Sequence, residues 1–258
     1  MKTKFALLII AFCMTTEILS AQTPDSLSGQ AAFLFAYYPK EGQEAQFEEG
    51  YKKHLSWHQK NNDPFVWYGW NVISGDRIGM FVDGTFGISF KAFDNRIKPA
   101  EDAAHAKKSF TPLANAAYRK VFKLQPELSS ATQLEQWNPS HYIEAITFLL
   151  EPGKEAVFED IFSQIVSALQ TDDSNQKFTT YRQVTGGKLP VFLLMNHHNG
   201  FGTFDSDKAF TTLGHLIHRI FNKPKAQELS KQLSGCIRNI QSETWLYRRY
   251  LSYFPSND

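Results

Sequence analysis

Cysteine is nearly absent from this chain. The two thiols are Cys13 and Cys236. Cys13 lies in a segment expected to be removed, so no intrachain disulfide can brace the fold, and no paired-cysteine redox or zinc pattern exists. A surplus of one charge is equally lacking. The chain carries 27 Lys and Arg against 26 Asp and Glu, which argues against the basic footprint of nucleic-acid or anionic-membrane binding. No apolar run approaches the ~18 residues of a membrane-spanning helix. Also missing are a Ser-His-Asp order, a Cys-His pair, a glycine-rich dinucleotide fingerprint and a phosphate loop. The aromatics, by contrast, are abundant: 22 Phe, 10 Tyr and 5 Trp. They supply ample core and enough surplus to line a ligand cavity.

The first residues have the layout of a signal peptide. Lys2 and Lys4 give a positive start, Phe5 to Met14 an apolar run, and Leu19-Ser20-Ala21 a small-residue cut before Gln22. Phe12 precedes Cys13 where a lipoprotein signal wants a small residue, so lipidation is not expected. Residues 1–21 are therefore expected to be cleaved and the protein exported, to the periplasm or beyond. Cleavage removes two basic residues and one acidic one, leaving 25 of each sign. Neither a nucleic-acid partner nor membrane attachment after cleavage is expected. A monomer and a homodimer both remain open.

The chain repeats itself. Gly42-Gln43-Glu44-Ala45-Gln46-Phe47-Glu48 matches Gly153-Lys154-Glu155-Ala156-Val157-Phe158-Glu159 at five of seven positions. Nearly the same offset aligns Val72 and Gly75 with Val184 and Gly187, Pro112 with Pro224, and Thr132 and Leu134 with Thr244 and Leu246. This predicts a 22–30 extension, a first unit over 31–138 and a second over 139–258. Each unit reads as strand, helix, hairpin, helix, strand. The strands are predicted at 32–38, 65–73, 78–82 and 132–137, and again at 142–150, 178–185, 191–195 and 244–250. Phe47, Tyr51, His54, Leu55 and His58 carry the helical spacing in the first unit, and Phe158, Ile161, Phe162, Ile165 and Leu169 in the second. Pro112 and Pro224 are each predicted to open a helix.

The order β-α-β-β-α-β is the ferredoxin-like pattern, whose sheet has one uncovered face. Two such sheets in one α+β chain can cover each other. The arrangement resembles the dimeric α+β barrel superfamily in a fused two-copy form. That superfamily includes antibiotic-biosynthesis monooxygenases, muconolactone isomerases, NIPSNAP-like proteins, chlorite dismutases and dye-decolourising peroxidases. The resemblance rests on topology and repetition across nearly all of the mature chain. It implies one pseudo-twofold barrel with a cavity between the sheets, and it assigns no catalytic residue.

Contrasts between the units mark candidate chemistry. His54 and His58, with Trp57 between them, share a helix face where the second unit has Ile165, Ala168 and Leu169. An i, i+4 histidine pair can ligate a metal when a third ligand approaches. It can equally be two hydrogen-bonded histidines at a helix end. The absence of Glu after His54 excludes the zinc-protease pattern, and no metal or cofactor is assigned. Trp67-Tyr68-Gly69-Trp70-Asn71 faces Thr179-Thr180-Tyr181-Arg182-Gln183. Alternation puts Trp67 and Asn71 on one face and Tyr68 and Trp70 on the other, and Gly69 marks a close approach of another segment. Asp83-Gly84-Thr85-Phe86-Gly87 is predicted as a loop, with Ile88 to Lys98, carrying Phe90, Phe93 and Arg96, as a lid or a packed connection. His197-His198 falls in the equivalent loop of the second unit. His215 or His218 is the helix histidine that a haem-binding relative would use. Glu135 could pair with Arg248 or Arg249 across closing strands.

The leading expectation is an exported binding protein. It would hold a small, flat, mostly apolar ligand inside the barrel through Trp57, Trp67, Tyr68, Trp70 and Asn71. The alternative is a cofactor-independent oxygenase or isomerase, with His54, His58 and Asp83 as candidates for proton transfer. A haem or metal protein, and a filled barrel acting through its surface, complete the set.

Overall fold

The structure, a computed structural model, describes residues 28–131, 140–170, 177–205 and 213–255. Eight strands close into one antiparallel barrel, in the order β1-β3-β2-β8-β5-β7-β6-β4 and back to β1. The first half supplies β1 (Ser28–Pro39), α1 (Glu44–Lys60), β2 (Tyr68–Ser74), β3 (Phe81–Ile88), α2 (Phe90–Asp94), α3 (Pro99–Ser109) and β4 (Ala114–Leu124). The second half supplies β5 (Tyr142–Leu150), α4 (Glu155–Leu169), β6 (Phe178–Thr185), β7 (Val191–His198), α5 (Leu213–Ile220), α6 (Lys223–Ser234) and β8 (Ile237–Tyr247). The halves join along two seams, β2 with β8 and β4 with β6. Closure leaves no strand edge to be protected, which is one reason aromatic-rich strands can be tolerated here.

Most strands are covered on both faces, so they read as apolar runs. β3 is buried at every position. Side chains from all eight strands fill the barrel interior, among them Leu34, Tyr68, Trp70, Val82, Phe86, Phe122, Ile143, Tyr181, Met195 and Trp245. Tyr68 stacks on Trp70 at 5.5 Å, and Trp70 lies 5.9 Å from Trp245. The expected ligand chamber between the sheets is instead this interlocked core, because six aromatic rings occupy inward positions of one small barrel. Outside the barrel, α4, α5 and α6 lay Phe158, Ile161, Phe162, Ile165, Leu216, Ile217 and Leu229 directly on the second-half sheet.

Three segment predictions need correction. Ala114–Leu124, in the region expected to be helical after Pro112, is the strand that completes the first half of the barrel; the predicted strand 132–137, with Glu135, lies outside the described residues. Pro112 sits in a short 3₁₀ turn leading into β4, whereas Pro224 does open α6. The matched prolines therefore occupy different places in the two halves. Asp83 to Gly87 is no loop but the middle of β3, as His197 and His198 are the end of β7. The glycines misled: a Cβ on Gly84 would run into Phe33 O at 2.8 Å and into the Leu34 side chain, so glycine serves close packing there.

Candidate active site

A cavity of about 400 Å³ lies outside the barrel, between the first-half sheet and the helices that cover it. Its wall is built by β1, β3 and β4 on one side and α1 and α3 on the other. This is the layer that α4 to α6 fill solidly in the second half. The difference is traceable to side chains: His54 and His58 stand on α1 where Ile165 and Leu169 stand on α4, both pairs buried.

Asp83 points from β3 into this layer because its neighbours Val82 and Gly84 alternate to the barrel side. Tyr51 Oη, one turn before His54 on α1, donates to Asp83 Oδ2 at 2.7 Å. Asp83 Oδ1 is buried and has no hydrogen-bond partner. Burial raises the Asp83 carboxyl from the ordinary carboxylate range to about 7, aided by the negative charge of Asp102 and opposed by the Tyr51 hydrogen bond and Arg119. Burial, with Asp83 alongside, likewise holds the Tyr51 phenol well above its usual value. Tyr37, Phe35, Trp67 and Phe110 supply aromatic surface, and Arg96, Lys107 and Arg119 supply cations.

The opposite wall is a histidine–carboxylate cluster. His54 Nε2 and His58 Nε2 approach to 3.3 Å, and both face Asp102 Oδ1 of α3, at 3.2 and 3.7 Å. His58 Nδ1 lies 2.6 Å from Asp63 Oδ2. The same oxygen accepts from Trp67 Nε1 at 2.9 Å, and Asp63 Oδ1 accepts from Phe65 N at 3.0 Å. His54 Nδ1 meets His105 Nδ1 at 3.1 Å. Burial lowers the affinity of His54 and His105 for a proton, with the neighbouring His58 charge adding to the effect. Burial alone would raise Asp102; the two imidazoles and Arg96 more than offset it and leave it below its usual value.

The residues predicted from sequence thus divide. His54, His58, Asp83 and Trp67 gather on the cavity wall. Trp57 is half-buried beside it, parallel to His54 at 6.1 Å. Tyr68 and Trp70 belong to the packed barrel interior, and Asn71 pairs with Phe81 and Leu246 in the sheet. Trp67 and the Tyr68–Trp70 pair do take opposite faces, as alternation required. Gly69 does mark a close approach: it lies under the Leu251 carbonyl and donates its N–H to Ser252 Oγ at 2.9 Å. The 88–98 segment is a packed connection, with Phe93 stacked on Phe33 and Arg96 left at the cavity rim. Arg248 pairs with Glu48. His218 is exposed on α5, and the side chain of His215 lies outside the described residues. Sequence reading missed Asp102, His105 and Arg119. Asp102 and His105 lie on a helix whose described residues are not buried, so no periodicity flagged them.

The eight-stranded antiparallel barrel with helices outside is consistent with a dimeric α+β barrel fold. Solved structures share it at very low identity. A proposed monooxygenase from Fusobacterium nucleatum matches with a TM-score of 0.57 at 12% identity, over 85% of this chain and 93% of that one. An anthrone oxidase-like protein matches with a TM-score of 0.51 at 8% identity, over 86% and 92%. A proposed chlorite dismutase matches with a TM-score of 0.53 at 10% identity, over 86% and 96%. No protein-family model and no curated protein matches the sequence.

Proposed function

We propose that the first-half cavity is the active site of an enzyme that removes a proton from a small aromatic substrate, in the manner of an oxygenase or isomerase. The observation that carries this is Asp83: a buried carboxylate with one oxygen held by Tyr51, the other free of any partner, and an affinity for protons balanced near neutral pH. A general base works best when its pKa lies near the working pH. Binding alone requires no such group, so the enzymatic reading moves ahead of a passive carrier. The cavity volume falls in the range of small-ligand sites. Its aromatic wall suits a planar ring system, and Arg96, Lys107 and Arg119 suit a phenolic, carbonyl or carboxylate oxygen on that ring. Asp83 would take the proton, Tyr51 would steady the carboxylate, and the cations would favour the negative charge left on the substrate oxygen. That anion would then react with dioxygen or be reprotonated elsewhere.

The likeness to a proposed monooxygenase and an anthrone oxidase-like protein supports the oxygenase branch as the first to be tested. The sequence repeat supports descent of the two halves from one ferredoxin-like unit, with only the first retaining the cavity. The leader layout of residues 1–21 supports export.

The test is a panel of hydroxylated aromatics and fused-ring ketones such as anthrones, followed by oxygen uptake and product formation. Wild-type turnover should rise through an inflection near pH 7, and Asp83→Asn should abolish it while still quenching Trp67 fluorescence on binding. Turnover retained by Asp83→Asn would dispose of Asp83 as the base. No quenching by any compound would dispose of the cavity as a site for this class.

A further inference from the structure

We infer that His54, His58 and Asp102 form a binding site for one divalent first-row transition cation, such as zinc or iron(II). The three ligand atoms, His54 Nε2, His58 Nε2 and Asp102 Oδ1, come together from two helices. Their separations of 3.3, 3.2 and 3.7 Å compare with about 3.3 Å for the edge of a tetrahedron whose ligands stand ~2.0 Å from a central ion.

The hydrogen bonds around the cluster orient lone pairs inward. In the neutral ring, Asp63 can only accept from His58 Nδ1, which leaves the lone pair on His58 Nε2. A carboxylate behind a ligating histidine is the usual device for fixing its tautomer, and Trp67 and Phe65 in turn fix Asp63. On the other ring, His54 Nδ1 can donate to His105, which leaves Nε2 of His54 bare as well. Asp102 Oδ1 is buried and has no hydrogen bond of acceptable geometry, although it faces both imidazoles. Three electron-rich atoms turned toward one another need a positive centre, either an added proton or a cation. Two imidazoles and one carboxylate are a donor set that suits zinc and iron(II), and it leaves at least one coordination position open. All three residues line the cavity, so that open position gives onto it. Loading would not require Asp83, and the inference stands or falls independently of the proton-transfer reading.

The experiment is titration of the chelator-treated protein with Zn²⁺ by calorimetry, with Co²⁺ by visible absorption, and with Fe²⁺ under anaerobic conditions. One equivalent of Zn²⁺ or Fe²⁺ should bind, and Co²⁺ should show the d–d bands of a low-coordinate nitrogen–oxygen site. The His54→Ile/His58→Leu double variant should lose at least 100-fold in affinity and the cobalt bands. Asp102→Asn, on the cavity rim where folding is least at risk, should lose at least 10-fold. Asp83→Asn should bind as wild type does. One equivalent of either ion upholds the site, whichever binds more tightly, since Zn²⁺ generally outbinds Fe²⁺ at nitrogen–oxygen sites. Uptake well below one equivalent of every ion, or uptake unchanged in the double variant and in Asp102→Asn, overturns it.

Discussion

Replacing Asp83 by Asn should change how stability depends on pH more than it changes stability at any one pH. The unfolded carboxyl titrates near its ordinary value of 3.8 and the folded one near 7. Between those two values the native state holds a proton that the unfolded chain has released. Wild-type stability therefore falls as pH rises through this window and is level on either side of it. A difference of about three pKa units corresponds to about 4 kcal/mol, lost by the wild type between pH ~4 and pH ~8. Asn can still accept the Tyr51 hydroxyl through its amide oxygen. Its NH₂ replaces an oxygen that has no partner, at a cost of about 1–2 kcal/mol that does not vary with pH. Asp83→Asn should be slightly less stable than wild type in acid and clearly more stable in base, with the two curves crossing in between. Urea unfolding at several pH values, followed by Trp fluorescence with chelator present, measures this directly. A stability difference between the two proteins that stays constant from pH ~4 to pH ~8.5 would refute the reasoning from burial.

Other perturbations probe the surroundings. Asp63→Asn should weaken zinc binding about 10- to 100-fold without touching a ligand, measured by the same calorimetry. Gly69→Ala should destabilise by about 2–3 kcal/mol, because its methyl group would meet the Leu251 carbonyl and the Phe81 ring; chemical denaturation at neutral pH reads this. Arg77→Leu should cost about 3–5 kcal/mol. Arg77 binds the fully buried Glu243 carboxylate through Nε and Nη2, at 2.5 and 2.7 Å, and its removal leaves Trp245 Nε1 as that carboxylate's remaining hydrogen-bond donor. The loss should shrink markedly in the Arg77→Leu/Glu243→Leu double variant.

What the sequence disclosed follows from periodicity. α1 and α4 were legible because their apolar positions fall on one face, and β1 and β5 because burial on both sides makes them unbroken apolar runs. β4 was not legible: its outer face is exposed, and Ala-rich Ala114 to Ala117 followed by Tyr118 to Lys123 carries neither a clean alternation nor a turn signal. β3 was cut short because Gly84 looks like a turn residue when its small size serves packing, and because Gly87 takes a positive φ of 70° within the strand. At the site, the i, i+4 spacing of His54 and His58 was visible, whereas Asp102 comes from a different helix 44 positions after His58. Only tertiary structure brings it within reach. The alternation at 67–70 was legible, with Trp67 on one face and Tyr68 and Trp70 on the other. Sequence gives two faces without saying which one packs inside the barrel.

The chain at Trp67, just before β2, is clasped from far along the sequence. Trp67 and Tyr253 exchange backbone hydrogen bonds at 2.9 and 2.7 Å, Arg248 N donates to Gly69 O at 2.8 Å, and the Tyr253 hydroxyl reaches the Asp63 carbonyl, 190 positions earlier, at 2.9 Å. The chemistry gathered in the N-terminal half is therefore finished by the C-terminal half. During synthesis, the ribosome would have emitted both helices and every cavity residue long before the clasp existed to fix Asp63 and Trp67 in place. The nascent first half is then expected to be inert, and competence to arrive in one step when the late segment docks.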